Sequence, residues 1–389
     1  MRNDRSLSGN RLKLLQSGVE YFPALLEAID AAQHEVLLET YLFEQDDTGR
    51  RFMKALRAAA LRGVRVRLMV DGFGARRFVE ETMAELVADG VEVFVYRREI
   101  RALSLGRNRL RRLHRKLAVV DGQIAFVGGI NIIDDMDTPH HIPPRFDFAV
   151  RIEGPLVVRV QNAMIRLWRL MSWASFKRRP GALRWVSPVR KRVGRMRAEF
   201  LVRDNIGHRR DIENAYLQAI QGAQEEIVLA NAYFFPGRAF RHALIEAALR
   251  GVKVTIILQG RVEYWLLHHA ARVLYAGLIQ AGVSIVEYRK SFLHAKVAVV
   301  DDAWATVGSS NIDPFSLLLA REANVVIHDK TFAARLKRCL LRAIADGGVE
   351  ITAEQLQRQH LWQRAISWFA YGVVRMAMGL AGYTGRQSV

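Results

Sequence analysis

The sequence predicts a duplicated α/β protein made of two similar halves. Three observations predict it. Strand-like and helix-like segments alternate in the same order twice along the 389 residues. The pattern His, any residue, Lys, four apolar residues, Asp occurs at His114 to Asp121 and again at His294 to Asp301. Each copy is followed by a glycine-bearing turn with an Asn, Gly128-Gly129-Ile130-Asn131 and Gly308-Ser309-Ser310-Asn311, and the paired His, Lys, Asp, Gly and Asn are all 180 positions apart. Accidental likeness between α/β segments does not hold one register across five chemically distinct positions.

In the first half, Tyr21, Leu25 and Ile29 at helical spacing predict a helix over Gly18 to Ala32. A strand-like run follows at Glu35 to Tyr41, then a helix from Gly49 to Leu61 ending at Gly63. Val64 to Val70 reads as a strand ending at Asp71-Gly72, Phe78 to Ala88 as a helix stopped by Gly90, and Val91 to Tyr96 as a strand. The second half repeats the order: helix Asp211 to Ala223, strand Glu226 to Asn231, helix Ala239 to Leu249 stopped by Gly251, and strand Val252 to Leu258. A further helix precedes Gly282, and Val283 to Tyr288 is a strand. The halves differ ahead of the motif, where the first carries an inserted basic loop with Arg107, Arg109, Arg111 and Arg112.

The predicted organisation is a first α/β domain over 1–175, a basic linker over 176–197, a second α/β domain over 198–355 and a tail over 356–389. The linker is dense in Lys and Arg and contains Pro180, Gly181 and Pro188, which mark a boundary. Trp168, Trp173 and Trp185 lie in or just before it. In the tail, Trp362, Ile366, Trp368, Phe369, Val373, Val374, Met376 and Met378 crowd around a helical stripe of Arg364, Ser367, Tyr371 and Arg375. This suits an interfacial membrane helix, and equally a helix packed on the second domain.

Composition narrows the partners. A net charge of +19 calls for an anionic one, a nucleic acid or an anionic membrane surface. Cys339 is the single cysteine, which excludes an internal disulfide and fits a reducing compartment; its neighbours predict an ordinary buried thiol on a helix face. Met1 to Asn10 has no apolar core of a signal peptide, and no uninterrupted apolar stretch reaches the roughly 18 residues of a spanning helix.

The motif residues define a chemistry. Residues two apart on a strand share a face, so His and Lys are presented together. Asp121 and Asp301, at an odd offset and next to a turn, are expected to fix the strand end and pair with nearby charges instead of attacking substrate. Two such units would bring two His, two Lys and two Asn (Asn131 and Asn311) around one phosphate. One His can attack phosphorus while the other protonates the leaving alcohol, after which the second His deprotonates the incoming alcohol. The Lys pair supplies the positive charge, so no metal and no cofactor are expected. Each His needs an acid on its other ring nitrogen. Asp147 and Glu322, which follow the motif histidines within their own halves, are the candidates.

At these residues the chain resembles the phospholipase D superfamily, whose mark is the duplicated His-x-Lys-x-x-x-x-Asp motif followed by Gly-x-x-Asn. His114, Lys116, Asp121 and Asn131 match one copy, and His294, Lys296, Asp301 and Asn311 the other. Leu38-Glu39-Thr40, Ile152-Glu153-Gly154-Pro155, Asn231-Ala232-Tyr233-Phe234-Phe235-Pro236-Gly237 and Glu322-Ala323-Asn324-Val325 resemble bacterial cardiolipin synthases, particularly the B type, which lacks the N-terminal transmembrane helices of the main synthase. The resemblance covers roughly Leu12 to Ala345 and implies a duplicated phospholipase D-like fold with one active site at the pseudo-twofold interface. It implies the six His, Lys and Asp of the motifs as the catalytic set and a phosphohistidine intermediate. It further implies phosphatidyl transfer from one phosphatidylglycerol to another, at the cytoplasmic face of the bacterial inner membrane. The alternatives are a phosphodiesterase hydrolysing phospholipid or nucleic acid, and a catalytically silent binding module, which two complete motifs oppose. The Trp-rich tail favours lipid, so no nucleic-acid partner is expected. A metal site at His140-His141 or His268-His269 has no supporting ligand spacing, since adjacent residues on a strand face opposite ways.

Overall fold

The computed structural model describes residues 6–97, 111–138, 141–174, 185–205, 207–261, 265–313, 316, 319–358 and 361–380. The first half runs β1 (Leu7–Gln16), α1 (Ser17–Asp30), β2 (Glu35–Thr40), α2 (Asp47–Leu61), β3 (Arg65–Asp71), α3 (Arg76–Glu81), α4 (Met83–Ala88), β4 (Glu92–Tyr96), β5 (Lys116–Val120), β6 (Ile124–Gly128), β7 (Phe148–Glu153) and α5 (Val157–Ala174). The second runs β8 (Met196–Arg203), α6 (Asp211–Gly222), β9 (Glu226–Asn231), α7 (Arg238–Leu249), β10 (Lys253–Gln259), α8 (Trp265–Gln280), β11 (Ser284–Tyr288), β12 (Lys296–Val300), β13 (Trp304–Gly308) and β14 (Glu322–His328). It ends with α9 (Lys330–Gly347), β15 (Gly348–Glu350), α10 (Ala353–Gln357) and α11 (Leu361–Leu380).

The strands form one mixed sheet in the order β15-β11-β10-β9-β12-β13-β14-β8-β1-β7-β6-β5-β2-β3-β4. Read outward from the β8–β1 seam, the two arms have the same order, and β15 is added at one edge. The motif strands β5 and β12 are buried along their whole length. Their alternation divides two cores. Leu117, Val119, Val297 and Val299 belong to one apolar core shared by both halves, whereas Ala118 and Val120 face the helices of the first half and Ala298 and Val300 those of the second. That shared core locks the two arms against each other and fixes the relative position of the two motifs.

Several expectations need correction. The helix expected over Phe78 to Ala88 is two short helices, broken at Thr82, whose φ of −128° leaves the helical region. Strands β1 and β8, which form the antiparallel seam (Leu7↔Ala198, Asn10↔Met196), are absent from the sequence reading. Cys339 is half-buried on α9, and burial pushes its thiol up from its ordinary value. Arg107 and Arg109 of the basic loop, and Lys177 to Gly181 of the linker, lie outside the described residues.

The tail helix α11 packs on α8 and buries Ser367, Ala370 and Val374, while Tyr371 stacks near Phe235 at 5.8 Å. Its outward surface carries Trp362, Trp368, Phe369 and Met376, all exposed. The expected polar stripe is therefore split: Ser367 and Tyr371 turn inward, Arg364 and Arg375 are exposed, and Trp362, Trp368, Phe369 and Met376 meet solvent. Among the described residues, no helix is long and apolar enough to cross a membrane. Residues 381–389 of the tail lie outside the described residues.

Candidate active site

The two motif histidines face one cavity of about 210 Å3, lined by residues of both halves including Tyr41, His114, Asn131, Arg145, Asp147, Tyr233, Phe292 and His294. Each His lies just before its motif strand, where a short parallel bridge ties it to the other half. Leu113 bridges Arg321, and His114 N–H donates to Arg321 carbonyl at 3.0 Å. Phe146 bridges Leu293, and His294 N–H donates to Phe146 carbonyl at 2.9 Å.

These bridges decide the acid partners. His114 Nδ1 is 2.8 Å from Glu322 Oε1, and His294 Nδ1 is 2.7 Å from Asp147 Oδ2. Asp147 and Glu322 hold the histidines as expected, but crossed: each acid serves the His of the opposite half. The Nε2 atoms are thereby left as the second ring nitrogens, and the imidazoles form parts of a site that neither half completes alone.

The acid pockets differ in one register position. A Cβ on Gly129 would lie 2.5 Å from both carboxylate oxygens of Asp147, so the bare glycine makes room for the acid. The matching position in the second half is Ser309, whose hydroxyl donates to Glu322 Oε2. A short acid against glycine and a long acid against serine reach the same place.

Lys116 and Lys296 are buried under the histidines. Lys116 Nζ donates to the His114 carbonyl at 2.7 Å, and Lys296 Nζ to the His294 carbonyl while lying 3.9 Å from Asp147 Oδ2. Burial brings Lys116 down to about 7, with Glu322 opposing that shift and Lys296 adding to it. Burial pushes Asp147 up to about 7 against the pull of Lys296. Burial also lowers His114, with Glu322 acting the other way, and it holds His294 well below its ordinary value together with Lys296 and Lys116. Burial thus disfavours the charged form of Lys116, and an anion bound beside it would favour that form.

Asn131 lines the cavity, and its Oδ1 accepts from Leu42 N–H at 3.2 Å, which leaves its amide nitrogen for a ligand. Asn311 is buried behind the wall, and its Oδ1 has no hydrogen-bond partner among the described residues. Asp121 and Asp301 are not in the site. They sit past the far ends of β5 and β12, about 17 Å from the lysines for five strand residues. Asp121 accepts the N–H groups of Gln33, His34 and Glu35, and Asp301 those of Gln224, Glu225 and Glu226. Both adopt left-handed φ, +51° and +48°. The expected strand-end role is present, but the partners are backbone donors, not charged side chains.

Other site residues were not singled out in the sequence. The Tyr41 ring lies 5.0 Å from His114 and 5.5 Å from Lys116 Nζ, and Phe292 stacks 6.2 Å from His294. Arg145 lies over Phe292 at 4.9 Å. The signal for the tyrosines was available: Tyr41 and Tyr233 each stand just past the strand that pairs with a motif strand. The two arginines nearest the first motif do not form a surface patch. Arg115 makes a buried bidentate pair with Glu39 at 2.6 and 2.9 Å, and Arg112 reaches Asp71 at 3.5 Å. His140 lies outside the described residues, His141 packs its ring against Phe292, and His268 and His269 lie on helix α8, not on a strand.

A mirrored pair of His-Lys units at one cavity, on a twofold-related α/β sheet, defines a phospholipase D-like protein. Residues 25–137 and 216–343 match the family described as "Cardiolipin synthase, PLD-like domain", and the chain belongs to that family. It is 39% identical to cardiolipin synthase B of Escherichia coli (strain K12) over 387 residues, 96% of this chain and 90% of that one. It is 29% identical to cardiolipin synthase A of Pseudomonas entomophila, covering 92% of this chain and 73% of that relative. The fold is shared with phosphatidylserine synthase of Haemophilus influenzae, with a TM-score of 0.70 at 14% identity over 95% of this chain and 94% of that one.

Proposed function

We propose that this chain is a cardiolipin synthase, a phosphatidyltransferase that joins two phosphatidylglycerol molecules and releases glycerol. The observation that carries the reaction is the crossed pairing of two histidines with two acids around one cavity. Nε2 of one His attacks the phosphorus, the bond to the headgroup glycerol breaks, and that oxygen takes a proton from the other His. The second His then accepts a proton from the headgroup hydroxyl of the second phosphatidylglycerol, whose oxygen attacks the phosphohistidine and frees the first His. Lys116, Lys296 and Asn131 stabilise the charge on the phosphoryl oxygens, and Asp147 and Glu322 orient the imidazoles. Asn311, set behind the wall, supports this shell.

The curated relatives are named for cardiolipin synthesis, which supports an anionic phospholipid substrate and membrane association. We place the chain peripherally on the cytoplasmic face of the inner membrane, in keeping with its charge of +19 and its single cysteine. Product analysis with purified protein and labelled phosphatidylglycerol vesicles, with nucleic acid offered in parallel, tests the reading. Cardiolipin and glycerol should form, and His114→Ala and His294→Ala should each abolish turnover. Nucleic-acid cleavage without a lipid product would refute the substrate, and half activity in each single variant would refute the shared site.

A further inference from the structure

A second cavity, of about 570 Å3, lies between α8, β15 and α11 and shares no lining residue with the His114–His294 cavity. That volume is within the range of small-molecule sites, about 300–1,000 Å3. Two chemistries meet in its walls. Arg272 and Arg289 flank the buried carboxylate of Glu287, with Arg289 Nη2 2.7 Å from one oxygen and Arg272 Nη2 4.0 Å from the other. One carboxylate between two guanidinium groups leaves a positive charge over. Arg272 Nε is buried and has no hydrogen-bond partner among the described residues. His269 on the same wall is lowered by burial and then by Arg272, so the charge comes from the arginines.

The rim is aromatic. Trp265 is 50% exposed and Trp362 61%, and α11 also turns Trp368 and Phe369 outward. Indole rings, apolar with one polar edge, settle at membrane–water interfaces, and guanidinium groups suit phosphate oxygens. Two guanidinium groups beside exposed indoles therefore match a lipid headgroup entering from a bilayer.

We propose that this cavity binds the phosphate headgroup of an anionic phospholipid at a second, non-reacting site, with Trp265 and Trp362 seated in the interface. It thereby docks the second half on the membrane. This goes beyond the proposed reaction, because binding here needs no turnover.

The test is co-sedimentation of the full chain with phosphatidylcholine vesicles with and without phosphatidylglycerol. Arg272→Gln should weaken binding to the anionic vesicles about fivefold, the factor expected for one basic residue at such a surface, and leave neutral vesicles unaffected. Arg272→Lys should recover most of that loss, which separates lost charge from lost fold. The double variant Trp265→Ala/Trp362→Ala should lose the part of binding that survives high salt. Wild-type binding by both Arg272→Gln and the double variant overturns the proposal. So does saturable binding of inorganic phosphate that needs Arg272 while vesicle binding does not, since the ligand would then be a free anion. Cardiolipin formation from dispersed short-chain phosphatidylglycerol should be unchanged in Arg272→Gln. Failure of the wild type to form it would instead sink the proposed reaction and leave the binding result standing.

Discussion

Glu322→Gln tests the crossed pairing most directly. Glu322 is fully buried, 2.8 Å from His114 Nδ1, and lies 208 positions away in the other half. A hydrogen bond to a charged group contributes about 1.5–3 kcal/mol. Removing the charge should therefore lower the His114 pKa further. The sign follows from Glu322 opposing the burial that already depresses His114. The glutamine amide also offers N–H where Nδ1–H now donates, which favours the wrong tautomer and leaves Nε2 protonated. In a Ser-His-Asp triad the equivalent change costs about 10⁴ in kcat, and a loss of about 10³–10⁴ is expected here. The assay is product formation from labelled phosphatidylglycerol, combined with histidine titration by nitrogen NMR. Glu322→Gln should move His114 and leave His294 nearly in place. If Asp147→Asn moves His114 and Glu322→Gln does not, the crossed assignment is wrong.

Lys116, brought down to about 7 by burial, loses its charge as pH rises through that value, so anion affinity should fall by up to tenfold per unit above about pH 7. Sulfate, which does not itself titrate there, should show this as a competitive inhibitor, and a flat inhibition constant from about pH 6 to 9 would rule it out. Gly129→Ala puts a Cβ against the Asp147 carboxylate and should reduce kcat about 10²-fold with little change in KM; unchanged kcat would show that the acid has room to move. Arg115→Ala leaves Glu39 buried without its ion partner and should cost about 3–5 kcal/mol in denaturant unfolding. Glu39→Ala/Arg115→Ala should recover much of that loss, and equal damage in both variants would refute the account.

That double variant has a precedent inside the molecule, which bears on what the sequence could reveal. In the second half the positions matching Glu39 and Arg115 are Ala230, on β9, and Ala295, just before β12, both buried. Ion pair and alanine pair occupy matching places, so the burial of Arg115 was readable by aligning the halves. The motifs were legible because their chemistry is local: His, Lys and the Gly–Asn turn fall within a score of residues, and a fixed offset repeats them. The crossing of the acids was not legible. Asp147 and Glu322 follow their own histidines closely in sequence, and only the short bridges at Leu113–Arg321 and Leu293–Phe146 hand each to the opposite half. Strand β1 was legible in the alternation of Arg11 and Lys13 with Leu12 and Leu14, although it follows a polar start, and β8 begins inside a run that charge alone assigns to a linker. The tail fails differently. Helical periodicity finds a stripe but not which side is inward, and here the side chains that meet α8 include the small Ser367 and Ala370, which permit close approach, while the bulkier Trp362, Trp368 and Phe369 are left outside. An exposed aromatic surface is costly in water and useful at a bilayer. The arrangement that periodicity could not decide is therefore also the one that gives the second cavity its rim.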